Sequence, residues 1–111
     1  MKTIFIIIAL ILSLQSKEID YQVPFCKNLN GIIEYVLPDK SRVDCLTNEY
    51  AIEVDFAKKW AESIGQSLFY ALMTDKKPAV AIIAGDQDKR YLKRLYKVTN
   101  KLNIKTFIIN K

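Results

Sequence analysis

Arg42-Val43-Asp44-Cys45-Leu46 and Ala51-Ile52-Glu53-Val54-Asp55-Phe56 set three carboxylates on what reads as a β-hairpin running straight into a helix. Strand side chains alternate between faces, so Glu53 and Asp55 point the same way. With Asp44 of the partner strand on that face, three acids converge. Left uncompensated, such a cluster is repulsive, and a divalent cation is a common remedy. A plainer reading makes the same acids the solvated face of an edge hairpin, paired with Arg42 and Lys59. Surface pairs of that kind contribute about 0–1 kcal/mol.

Around this hairpin the chain reads as one α/β domain. Gly31 to Leu37 has the pattern of a strand, and Pro38-Asp39-Lys40-Ser41 is a turn signal. With Thr47-Asn48-Glu49-Tyr50 as a second turn, the strands form a three-stranded meander. Ala57, Trp60, Ile64, Leu68 and Ala71 then recur at steps of three and four, which predicts a helix from about Ala57 to Met73. Gly65 interrupts it at a cost of about 1 kcal/mol relative to Ala, a cost that close packing against a sheet would explain. Ala79 to Ala84 is a continuous apolar run, the mark of a strand covered on both faces. Asp86 or Asp88 is the expected cap of a second helix reaching Leu102, with Tyr91, Leu92, Leu95, Val98 and Leu102 as its core face. Ile104 to Ile109 closes the chain as a last strand. The expected order is β-β-β-α-β-α-β, a mixed sheet with helices packed on it. No element is assigned between the apolar start and Gly31.

Composition narrows the chemistry. The 111 residues are 50% hydrophobic and 26% charged, which suits a single domain with a buried core. Lys2 followed by the apolar run Ile4 to Leu12 and the polar Gln15-Ser16-Lys17-Glu18 reads as a signal peptide over residues 1–16, or as an uncleaved N-terminal anchor. The run is short for a bilayer span of roughly 20 residues. The mature domain, 17–111, is then exported, periplasmic or secreted, with no membrane contact beyond that first segment. The formal charge of +5 falls to +4 once Lys2 is set aside, which favours a polyanion as partner. The chain has no His, so Ser-His-Asp and Cys-His schemes are excluded and any metal site is oxygen-rich. Such a site suits Mg²⁺, Mn²⁺ or Ca²⁺. Cys26 and Cys45 are a single even pair, which in an exported chain points to a disulfide; the alternative is two buried thiols. Cys45 follows Asp44 and faces the other side of its strand, so a bridge would tether the N-terminal segment to the back of the hairpin.

Asp44, then Glu53 on the next strand, then a helix bearing Gln66-Ser67-Leu68-Phe69-Tyr70 resembles the PD-(D/E)XK nuclease superfamily. The Gln-x-x-x-Tyr element is similar to that of its RecB-type branch. The resemblance covers about Gly31 to Lys97 and implies a restriction-endonuclease-like core. It also implies Mg²⁺ or Mn²⁺ between Asp44 and Glu53, with the Val54 carbonyl as a further ligand. The implied activity is metal-dependent hydrolysis of phosphodiester bonds in nucleic acid. The family expects a lysine two residues after the second acid, and this chain has Asp55 there. At 100° per residue Lys59, Ser63, Gln66 and Tyr70 share a stripe within about 60° of arc. Lys59 is thereby placed to supply the missing ammonium, with Asp55 as a third metal ligand or a partner for Lys59. Gln66 and Tyr70 would support the site.

The alternatives are a catalytically inactive nuclease-fold binding protein and a small envelope interaction protein that docks through the hairpin edge. Trp60 reads as a core residue. Lys89, Arg90, Lys93, Arg94, Lys97 and Lys101 read as a solvated helix face, or else as a surface that tracks phosphates. Glu34 adds a carboxylate whose facing depends on the hairpin register. So small a domain leaves little room for base-reading elements, so sequence specificity would call for a homodimer or a second protein.

Overall fold

A computed structural model describes residues 17–111. The segment 1–16, read as a signal peptide or anchor, lies outside the described residues. The elements are α1 (Glu18–Asn28), β1 (Ile32–Val36), β2 (Arg42–Leu46), β3 (Tyr50–Phe56), α2 (Trp60–Thr74), β4 (Lys77–Ala84), α3 (Lys89–Leu102) and β5 (Lys105–Asn110). Single 3₁₀ turns at Ala57–Lys59 and Asp86–Asp88 lead into α2 and α3. The five strands form one mixed sheet in the order β1-β2-β3-β4-β5. β1, β2 and β3 are antiparallel neighbours, whereas β4 runs parallel to β3 and to β5. A parallel pair needs a crossover, and α2 and α3 supply the two required here.

The helices divide between the faces. α1 packs through Tyr21, Phe25, Cys26 and Leu29 against Ile52, Val54, Ala79, Ala81 and Ile83. α2 and α3 cover the other side, where Ile64 and Leu95 meet Val80 and Ile82. β4 is therefore buried on both faces, as its unbroken apolar run requires. β3 is covered in the same way, and it places two acids, Glu53 and Asp55, in the interior.

α1 is an element the sequence reading did not assign. Its signal was present: Tyr21, Phe25 and Leu29 recur every four residues, with Gln22 and Cys26 one step behind. Lys17 starts the helix by donating its backbone N–H to Asp20 Oδ2 at 3.0 Å. Cys26 and Cys45 are joined, with a Cα–Cα distance of 5.6 Å, so the bridge ties α1 to the back of β2. Closing a loop of this size stabilises a fold by about 3 kcal/mol in the chain-entropy account. Gly31 lies against the bridge. A Cβ there would stand 2.5 Å from Cys45 Sγ and 2.7 Å from Cys26 Sγ, closer than real contacts allow.

Three expectations need correction. Gly65 does not pack against the sheet; a Cβ there meets nothing within 4 Å. Leu102 is not a core residue of α3, being 50% exposed, and Thr99 is buried near that end of the helix instead. Neither Asp86 nor Asp88 caps α3 through its side chain; Asp88 Oδ2 instead accepts from the Gly85 N–H at 2.8 Å.

The two glycines should answer substitution with opposite signs. Gly65→Ala gains helix propensity in open space and should raise unfolding free energy by about 0.5–1 kcal/mol in urea titration. Gly31→Ala must displace the bridge and should lower it by roughly 1–3 kcal/mol.

Candidate functional site

The site begins where β2 parts from β3. β1 and β2 pair at Ile32↔Leu46, Ile33↔Cys45, Tyr35↔Val43 and Val36↔Arg42, leaving Glu34 and Asp44 opposite each other but outside the ladder. β2 and β3 pair only at Cys45↔Ile52 and Leu46↔Ala51. The side chains record the same break. Cys45 packs on the α1 side of the sheet, whereas Val43, two residues away, packs with Leu37, Ala51 and Tyr70 on the α2 side. The chain turns over at Asp44. Glu34, across from it, has φ of 56°, the left-handed region, which costs a non-glycine residue on the order of 1–2 kcal/mol.

Two side chains bind the backbone groups at this break. The Val54 N–H donates to Asp44 Oδ2 at 2.8 Å. Gln22 of α1 donates from Nε2 to the Asp44 carbonyl at 2.9 Å. An unpaired buried amide or carbonyl would otherwise carry its full desolvation penalty. Asp44 is thus held from the β3 side by its carboxylate and from the α1 side by its carbonyl.

Four carboxylates meet beside this break: Asp44, Glu53, Asp55 and, from the first turn of α1, Glu18. Glu53 and Asp55 are only 5% and 4% exposed. Burial, then a hydrogen bond to Asp44 and the charges of Asp44, Asp55 and Glu18, push the Glu53 carboxyl up to about 11. Burial and the charges of Asp55 and Asp44 push Glu18 up to about 7, with a hydrogen bond to Asp55 adding to the shift. Asp55 is also raised, chiefly by burial, although the Glu18 hydrogen bond, Lys59 and the Phe56 amide all oppose the shift. Glu53 therefore holds its proton toward Asp44, and Glu18, also raised, faces Asp55 across a hydrogen bond. Among the described residues no group of three or more Asp, Glu or Cys side chains is arranged to hold a metal ion.

The surrounding groups come from α2 and the turn before it. Lys59, exposed at the end of the 3₁₀ turn, lies near enough to lower the Asp55 and Glu18 carboxyls, but among the described residues it forms no ion pair within 4.0 Å. Tyr70 is buried, and burial followed by the charges of Glu53, Asp44, Glu34 and Asp39 pushes its hydroxyl up to about 12. Ser63 and Ser67 are fully buried on α2, each donating its hydroxyl into its own helix, to the Trp60 and Ile64 carbonyls. Gln66 is exposed, so the expected stripe is corrected: Ser67, and not Gln66, shares the buried side of α2 with Ser63 and Tyr70. Trp60 packs, half-buried, against the core on the α2 side. A cleft of about 490 Å³ opens where β3 ends, with Lys59 and Phe56 among its lining residues.

The solvated-hairpin reading of the acids does not survive this geometry. Glu53 and Asp55 are interior groups, and among the described residues neither Arg42 nor Lys59 forms an ion pair with them. Sequence reasoning missed Glu18 and Gln22 because it ended the apolar segment there and assigned no helix. Comparison of the chain with protein-family models, curated proteins and solved structures gives no match.

The titration has a definite sign. Glu53 and Glu18 have folded-state values above the unfolded value of 4.5, so the native state binds more protons than the unfolded chain. Their effect on stability is most favourable below pH 4.5. It declines as pH rises, for Glu18 up to about 7 and for Glu53 on toward 11. In EDTA, the urea midpoint should fall steadily between pH 5 and pH 8. Glu53→Gln, which keeps a neutral donor for Asp44, should flatten that fall and leave the variant the more stable protein at pH 8.

Proposed function

We propose that this chain is a metal-dependent hydrolase of phosphodiester bonds in nucleic acid, with a core like that of the PD-(D/E)XK nucleases. The observation that carries the reading is the convergence of Glu18, Asp44, Glu53 and Asp55 beside Lys59. Burying several carboxylates together is unfavourable unless protons or a cation offset the charge. The donor set is all oxygen, which fits Mg²⁺ or Mn²⁺ and disfavours softer metals. Asp44, Glu53 and Asp55 would hold the ion, with Glu18 as a fourth carboxylate. Bound there, the ion would acidify a water and offset charge on the phosphate.

The chain's own groups supply the rest. Lys59 stands where an ammonium reaches the edge of the cluster without being neutralised in a close pair, so it remains free to meet a phosphate oxygen. It replaces the motif lysine whose position Asp55 occupies. Tyr70 keeps its proton and backs Glu53 with a neutral hydroxyl. Gln66, on the outer surface of α2, is left as a contact to the substrate backbone. The Cys26–Cys45 bond supports an exported protein, periplasmic or secreted.

A non-catalytic binding protein on the same fold is the second reading. It is favoured by the raised Glu53, Glu18 and Asp55 carboxyls, whose protons offset the charge without any ion. Catalysis separates the two. With Mg²⁺ or Mn²⁺, wild-type protein should cleave plasmid or single-stranded nucleic acid, and Glu53→Ala and Lys59→Ala should each lose roughly 10²-fold or more. Mg²⁺ at about 100 times its Kd should also stabilise the wild type by about 2.7 kcal/mol, and Glu53→Ala far less. Cleavage that survives Glu53→Ala would exclude the hydrolase assignment.

A further inference from the structure

Phe56 and Ala84 end the neighbouring parallel strands β3 and β4. Open α/β sheets bind ligands outside the carboxyl ends of their strands, in a crevice where strand order reverses; the order here runs without reversal, so it is the lining that marks this end. At this end is the cleft of about 490 Å³, lined by Lys58, Lys59, Arg90 and Lys111 over the rings of Phe56 and Tyr91. Its size lies within the range of pockets that take small ligands, roughly 300–1,000 Å³, and is too small to admit a duplex.

The charge of the cleft is one-sided. Asp88 is the single carboxylate that lines it against the four cations. Its Oδ2 already accepts from the Gly85 N–H at 2.8 Å and stands 3.7 Å from Lys111 Nζ. Two of the cations are laid against aromatic rings. Arg90 lies 4.8 Å over the Tyr91 centroid and donates to its hydroxyl at 2.9 Å, and Lys111 Nζ is 5.6 Å from the Phe56 centroid. This limits where their charges can go, and neither ring nor hydroxyl neutralises them.

The cleft is continuous with two other features. Lys59 belongs to it and also lowers the Asp55 and Glu18 carboxyls, so the cleft abuts the acid cluster. From Arg90, the exposed Arg94, Lys97 and Lys101 follow at steps of four, three and four. At 100° and 1.5 Å per residue they form one row within about 60° of arc and about 16 Å long, on a flank of α3 away from its core side.

We propose that this cleft holds a backbone phosphate of a single nucleic-acid strand, and that the Arg90-to-Lys101 row of α3 carries the strand onward from it. The inference rests on the hydrolase reading in one respect, that it supplies the path by which a strand reaches the acids. The binding itself requires neither metal nor cleavage.

The test is therefore made in EDTA, by fluorescence anisotropy of labelled single-stranded DNA and RNA oligonucleotides across a salt series. Arg90→Ala/Lys111→Ala should weaken binding of at least one of them by roughly 10- to 100-fold at low salt. It should also make the slope of log K against log salt shallower by about 1.4, the value for two lost phosphate contacts on a single strand. Lys105→Ala removes one positive charge at the opposite end of the sheet, in a second cleft of about 640 Å³, and should leave binding nearly unchanged. Circular-dichroism melts confirm that the variants are folded. Wild-type affinity in the double variant overturns the proposal, and so does an equal loss in Lys105→Ala, which would mark diffuse charge attraction. Loss of binding in the double variant, from a protein that cleaves nothing with Mg²⁺, supports the cleft and removes the hydrolase reading alone.

Discussion

The hydrogen bond from the Val54 amide to the Asp44 carboxylate joins β2 to β3 where their ladder has ended. It draws a charged group toward the interior, next to a strand that carries two more acids on its covered face. Every neighbouring feature then bears on how that charge is tolerated. Glu53 keeps its proton toward Asp44, and burial with the neighbouring acids raises Glu18 and Asp55 as well. Lys59 approaches from the surface without closing an ion pair. The helix that covers the cluster turns serines and a tyrosine toward the sheet, and serine hydroxyls bonded within their own helix add no charge.

α1 is the brace for this arrangement. Its first turn carries Glu18, its second carries Gln22 to the Asp44 carbonyl, and its last carries Cys26 to Cys45, the residue after Asp44. Two of these attachments, Gln22 and Cys26, hold β2 at Asp44 and at the next residue, so the helix cannot shift without disturbing Asp44. Gly31 permits the close approach of the chain to the bridge that this requires. A buried acid cluster held so firmly is costly for a protein that has no use for it. That cost is the physical ground for reading the cluster as a site for a cation.

Much of the architecture was legible because it rests on local pattern. The period of two in β3, the unbroken run of β4 and the apolar stripe of α2 each state what covers them. The convergence of Asp44, Glu53 and Asp55 follows from strand alternation and the hairpin. Long-range packing was not legible in the same way. In sequence Glu18 reads as the polar exit of an apolar segment, because nothing in its neighbours reports that a helix beginning there lies across the sheet. Gln66 was placed on the site side of α2 by angle alone. A stripe drawn from Lys59 through Tyr70 is as consistent with Ser67 as with Gln66, and only the packed sheet decides between them. Likewise Lys58, Arg90 and Lys111 are far apart in sequence, and only the parallel pairing of β3, β4 and β5 brings the ends of those strands to one edge.

The most direct test of the central claim is calorimetric titration of the protein with Mn²⁺ near neutral pH, in buffers of differing ionisation enthalpy. If the acids are a cation site kept closed by bound protons, binding must expel those protons. The apparent enthalpy will then vary with the buffer, and the released protons will diminish in Glu53→Gln. A folded protein that binds no Mn²⁺, or binds it without releasing protons, would show that the cluster is structural and contradict the account.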